Sequence, residues 1–105
     1  MQAVRYHGPN VPLTLEEVAT PCNLEDSNIL VEVKAAALCH TELHFLDGTL
    51  NLGVKPMTLG HEATGVITAV GAKVDASRIG ERVILYYYVG CGLCRWCQQG
   101  DEQIC

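Results

Sequence analysis

The sequence predicts a mostly β, barrel-like domain with one short helix and a metal-holding lobe at its C-terminal end. Three observations carry that prediction. Runs of strand-forming residues recur between Gly-, Pro- and Asn-rich turns. Helix-like patterning is confined to one brief stretch, 41–46. The last sixteen residues, "GCGLCRWCQQGDEQIC", crowd four cysteines together after all strand patterning has stopped. At 105 residues the chain reads as one domain, 1–105, with the lobe over 90–105.

Taken in order, "MQAVRYH" and "LTLEEV" are short strand-like runs parted by "GPNVP", which has turn chemistry. "NILVEVKAAAL" is the strongest strand signal, with Ile29, Val31, Val33 and Ala35 alternating against mixed neighbours. Thr41 to Leu46 can form a helix stopped by Asp47-Gly48. "NLGVKPMTLG" reads as a loop. "ATGVITAVGAKV" reads as a hairpin or a strand bent at Gly65 and Gly71, backbone necessities rather than site residues. "GERVILYYYV" reads as a further strand, with Tyr86, Tyr87 and Tyr88 as ordinary aromatics on a half-buried surface. Asp75, Arg78 and Glu81 suit a solvated turn, His7 a surface position, and Cys22 a half-buried free thiol.

Composition narrows the function classes. The net charge is −5 and the seven Lys and Arg are scattered singly, so no basic stripe exists for a nucleic acid backbone. No run approaches the ~18 apolar residues of a membrane span. The start lacks an apolar export segment, which predicts a cytoplasmic chain with reduced thiols.

Cys91, Cys94, Cys97 and Cys105 are spaced C-x2-C-x2-C-x7-C. Four thiolates satisfy the tetrahedral, soft-ligand preference of zinc and leave no open position, so such a site is structural. Gly90, Gly92 and Gly100 allow the backbone reversals that close ligand spacing needs. Zinc contributes roughly 10 kcal/mol of folding free energy in small thiolate domains. Rival readings fit less well. Disulfides need an oxidising compartment, a ferredoxin-type cluster needs an x3 gap and a following Pro that are absent, and a redox pair needs only one C-x2-C.

Cys39, His61 and Glu62, in "LCHTELHFLDG" and "LGHEATG", are candidate ligands of a second ion, with His40 and His44 close by. Spacing alone leaves open whether they share a metal. "HTELH" places its Glu third, which matches neither H-E-x-x-H nor H-x-x-E-H.

Taken together, "CHTELH", "GHEATGVITAVG", "GERV" and the cysteine lobe resemble the zinc-dependent medium-chain alcohol dehydrogenases, over nearly the whole chain. The resemblance implies a barrel similar to the GroES chaperonin fold, packed in the intact enzyme against a Rossmann domain carrying NAD or NADP. It implies a catalytic zinc on Cys39 and His61, with Glu62 beside them as an occasional or supporting ligand. It implies that Thr41 holds the substrate hydroxyl and starts a proton relay toward His44, that His40 lies near the cofactor pyrophosphate, and that Cys91, Cys94, Cys97 and Cys105 hold structural zinc. Glu42 stands where the family usually has an Asp that orients the zinc-bound His, one methylene longer. No G-x-G-x-x-G occurs, and the third protein ligand of the catalytic zinc is not among these residues.

The chain is therefore expected to be the N-terminal part of a longer enzyme, inactive by itself. The intact enzyme is expected to convert a small alcohol to its aldehyde or ketone and to be a homodimer or homotetramer, without membrane or nucleic acid partners. Two alternatives stand: a stand-alone zinc-binding interaction module anchored by Trp96, and a sibling polyol, formaldehyde or threonine dehydrogenase.

Overall fold

Alternation and β-branching place most strands where the sequence predicts them, and the computed structural model describes all residues, 1–105. Strands β1 (Gln2–Tyr6) and β2 (Thr14–Glu17) pair antiparallel from Gln2 opposite Glu17 to Arg5 opposite Thr14. On the other side of β1 lies β4 (Met57–Thr58), with Tyr6 opposite Met57. This short strand falls inside the segment expected to be a loop, and β1's free edge recruits it. The N–H and C=O groups of an unpaired edge must find partners somewhere.

The second sheet is ordered β3 (Ile29–Ala37), β5 (Glu62–Val70), β6 (Arg82–Ile84), all antiparallel. So the mostly β class holds, with the strands hydrogen-bonded as two three-stranded sheets. The segment 63–74 is the bent-strand alternative, not a hairpin, because its residues to Val70 pair continuously with β3. Register shifts fall between Leu30 and Val31 and between Val33 and Ala35. A bulge rotates the residues beyond it, and the alternation expected for β3 is not kept: Val33 and Ala35 are exposed.

Both predicted glycine necessities are matters of space. A Cβ on Gly65 would run into the carbonyl of Glu32, and one on Gly71 into the carbonyls of Glu25 and Asp26. Beyond β5, Asp75 caps a single 3-10 turn by accepting from the Ser77 N–H at 2.9 Å, and Arg78 pairs with Glu81 at 2.6 Å. That is the expected solvated turn. Strand β6 stops at Ile84, so the three tyrosines leave the sheet and are exposed, against the half-buried strand reading. Leu85 N–H still bonds Ala63 at 2.8 Å, after which the chain turns toward the cysteines. Cys22 is also exposed instead of half-buried, in a segment that joins neither sheet.

Helix α1 spans His40–Asp47 and follows β3. Cys39, extended, caps it, and the Glu42 carboxylate accepts the Cys39 N–H at 2.8 Å. It ends at Gly48, whose φ of 86° is the left-handed stop the Asp-Gly pair predicts. Phe45 packs edge-on to Tyr6, whose hydroxyl donates to the Phe45 carbonyl at 2.9 Å. The apolar core is small: Ala3, Tyr6, Phe45 and Ile67. Leu38, Ile84 and Val89 remain 85–93% exposed, so burial alone supports this chain weakly. No helix is long and apolar enough to cross a membrane.

Candidate functional site

The lobe opens with the turn at Gly92, passes through α2 (Arg95–Gln99) and reverses at Gly100, where the Gly100 and Asp101 N–H groups bond Cys97 and Trp96 carbonyls at 3.1 and 2.8 Å. A 3-10 turn, Glu102–Ile104, then swings Cys105 back toward Cys91. All four ligand sulfurs lie within 4.8 Å of one another. A tetrahedral centre with Zn–S near ~2.3 Å requires sulfurs about 3.8 Å apart. The observed separations are 4.0 Å for Cys91–Cys97, 3.6 Å for Cys94–Cys97 and 3.9 Å for Cys94–Cys105. A disulfide would need about 2.0 Å, and every cysteine is free. The donor set therefore fits a tetrahedral thiophilic ion.

Backbone amides face the sulfurs. Leu93 and Cys94 N–H donate to Cys91 Sγ at 3.4 and 3.3 Å, and Cys91 N–H donates to Cys105 Sγ at 3.3 Å. The Leu93 and Cys94 donors draw the Cys91 thiol down to about 6, so it is a thiolate at neutral pH. Burial pushes the Cys97 thiol up to about 12, so an ion there must displace its proton. Gly90 leaves room for this sulfur: a Cβ would sit 2.9 Å from Cys97 Sγ. Trp96 is half-buried, with the Arg95 guanidinium 4.0 Å over its ring, so one aromatic face is already covered within the lobe.

The second group forms where the sheet register brings two distant segments together. Ala37, at the end of β3, pairs with Glu62, at the start of β5. Two residues past Ala37 comes Cys39, and one residue before Glu62 comes His61. The ligand atoms of Cys39, His61 and Glu62 accordingly lie within 4.8 Å of one another, so the three could share one ion. Behind them sits Glu42, 6% exposed. One of its oxygens holds the Cys39 N–H and the other lies 3.2 Å from His61 Nδ1. The extra methylene thus reaches both partners. With Nδ1–H directed at the carboxylate, His61 keeps Nε2 as its free lone-pair donor.

Thr41 Oγ1 lies 3.4 Å from Cys39 Sγ and faces a cleft of about 320 Å³ that it shares with Phe45, Leu52, Met57, His61 and Tyr87. His40 is exposed and faces a separate, mainly apolar cleft of about 630 Å³ beside Cys39. His44 lies edge-on to His40, ring centroids 5.1 Å apart, and no hydrogen bond joins it to Thr41. Tyr87 is the residue sequence reasoning passed over: its ring lies 5.2 Å from that of His61. No periodicity marks it, because its position depends on where β6 ends.

The alcohol dehydrogenase GroES-like domain model matches residues 25–105. The chain is 40% identical over 96 residues to an alcohol dehydrogenase of Geobacillus stearothermophilus, covering 90% of this chain and 28% of that protein. It is 36% identical over 113 residues to an NAD-dependent alcohol dehydrogenase of Saccharolobus solfataricus, covering 100% of this chain and 32% of the other. The solved alcohol dehydrogenase TADH from Thermus sp. ATN1 superposes with a TM-score of 0.87 at 29% identity, over 100% of this chain and 30% of that one. The chain spans about a third or less of these relatives. Its length from 25 to 105, its two antiparallel sheets and its paired donor groups say the same thing: the chain belongs to the zinc-type alcohol dehydrogenase family, as a GroES-like domain.

Proposed function

We propose that residues 1–105 form the catalytic-side domain of a cytoplasmic, homo-oligomeric zinc-dependent dehydrogenase that oxidises a small alcohol to an aldehyde or ketone by hydride transfer to NAD or NADP. The observation that carries this reading is the convergence of Cys39, His61 and Glu62, with Glu42 buttressing two of them and Thr41 beside the cluster.

In this reading Cys39 and His61 hold a zinc ion, with Glu62 as an occasional third donor, and Cys91, Cys94, Cys97 and Cys105 hold a second, structural one. Zinc at the first site supplies Lewis acidity, which lowers the pKa of an alcohol hydroxyl toward neutrality. The chain's own residues do the rest. Thr41 orients that hydroxyl and takes its proton in exchange for its own. His44, not directly hydrogen-bonded to Thr41, receives that proton through an intervening water and passes it to solvent. Glu42 fixes the His61 tautomer, and Tyr87, its ring tilted against that of His61, helps wall the cleft against water. His40 accounts for contact with the cofactor phosphates.

Metal content tests this reading. The purified chain is expected to hold about two zinc ions, one lost in Cys39→Ser with little change in melting temperature and the other in Cys97→Ser. One zinc in the parent, unchanged by Cys39→Ser, would remove the catalytic centre. Activity is tested by grafting residues 1–105 in place of the matching segment of the Geobacillus stearothermophilus relative. Alcohol-dependent NAD reduction is expected, and is expected to vanish in Cys39→Ala, whereas the 105-residue chain alone should show none. A zinc-loaded, folded graft without activity would sink the proposal. Glu42→Ala is expected to weaken zinc at the Cys39–His61 centre about 10–100-fold while sparing the lobe, read by competition with a chelating dye.

A further inference from the structure

Helix α1 carries a pair of imidazoles whose mutual geometry nothing above requires. His40 and His44 are four residues apart and so share a helix face. Their rings meet edge-on at an interplanar angle of 67° with centroids 5.1 Å apart. His40 is exposed and the His44 side chain is 41% exposed. The Nδ1 atom of His44 is closed off from solvent and has no hydrogen-bond partner. That leaves Nε2 as the nitrogen on the open side of the ring.

A metal bound to an imidazole nitrogen at about 2.0–2.1 Å lies about 3.2 Å from the ring centroid. Two rings with centroids 5.1 Å apart would subtend about 106° at an ion on which a nitrogen of each converged, close to the tetrahedral angle. The spacing therefore suits chelation once the edge-on rings turn one nitrogen each toward a common point, a change of side-chain rotamer and not of the helix. Asp47, one turn on, has its carboxylate 3.8 Å from the orphaned Nδ1. A shift of under about 1 Å would give that N–H an acceptor and complete the carboxylate–imidazole–metal arrangement that fixes ligating histidines.

We propose that His40 and His44 form a bidentate clip for a divalent transition-metal ion, separate from both sulfur-bearing centres, with water in the remaining positions. Imidazole donors without sulfur suit zinc, nickel and copper. The clip does not depend on the dehydrogenase reading. Where both hold, the ion occupies the two imidazoles assigned to proton transfer and cofactor contact, so excess metal inhibits.

The test loads the chain with zinc to fill the sulfur centres and then titrates Ni²⁺ alone, followed by calorimetry and visible absorption. One Ni²⁺ per chain is expected, without a sulfur-to-metal charge-transfer band. His40→Gln and His44→Gln should each weaken binding by roughly tenfold or more, and the double variant little further. Asp47→Asn should weaken it less. Unchanged affinity in His40→Gln, or a sulfur charge-transfer band in the parent, overturns the clip. His40 is exposed at the first turn, so that variant decides the matter even if His44→Gln fails to fold.

Discussion

Cys97→Ser is expected to cost the chain one zinc ion and to free the segment 89–105, making the bond after Arg95 a prime trypsin site while the two sheets persist. Cys97 is the natural target. Its sulfur lies within 4.0 Å of both Cys91 and Cys94, and Gly90 is packed against it. The lobe has little else to hold it: Leu93 and Val89 are exposed, and its backbone bonds are local turns within α2 and the 3-10 segment. A bound metal, which contributes on the order of 10 kcal/mol in comparable peptides, would then be the main reason the lobe keeps its shape. Serine is a much poorer zinc ligand than thiolate and leaves three sulfurs with an open position. Limited proteolysis with zinc analysis is the measurement. Parent-like resistance at Arg95 after one zinc ion has been lost would show that packing, not metal, orders the lobe.

Gly71→Ala should be the most damaging single methyl group outside the lobe. The new Cβ meets the carbonyl oxygens of Glu25 and Asp26, and neither is free to retreat. Asp26 O already accepts the Lys73 N–H at 2.8 Å, and the Gly71 N–H is tied to Asn28 O at 2.7 Å. Overpacking costs about 1–3 kcal/mol where side chains can yield, and backbone yields less. At about 4–8 °C per kcal/mol for a chain of this size, a fall in Tm of at least about 10 °C follows. Gly80→Ala is the contrast: nothing lies within 4 Å, and only its φ of +91° opposes a side chain. Its cost should stay near about 1 kcal/mol, the ordinary left-handed penalty. Equal melting temperatures for the two variants, followed by circular dichroism, would mean that the collision at Gly71 is relieved elsewhere.

Legibility differed between the two donor groups for a physical reason. The lobe's ligands are close in sequence, so their spacing and the intervening glycines already limit the geometries open to them. Cys39 and His61 meet only because β3 and β5 pair in one particular register, a long-range event that spacing cannot encode. Glu42 shows the limit most clearly. Its type marks a helix start, yet its reach to His61 depends on the relative placement of α1 and β5. Strand patterning located β3, β5 and the β1–β2 pair. It overextended β6, because three β-forming tyrosines look the same on a sheet as on an exposed irregular segment.

The mostly β class, the helix with its stop at Gly48 and the four-sulfur lobe were all legible from the residues alone, as products of local periodicity, turn chemistry and ligand spacing. Long-range packing settled the rest: β4 completes the first sheet, Glu42 serves Cys39 and His61 together, Tyr87 lies against His61, and the His40 and His44 rings meet edge-on. Those outcomes depend on strand register and on side-chain rotamers fixed by neighbours far away in the chain.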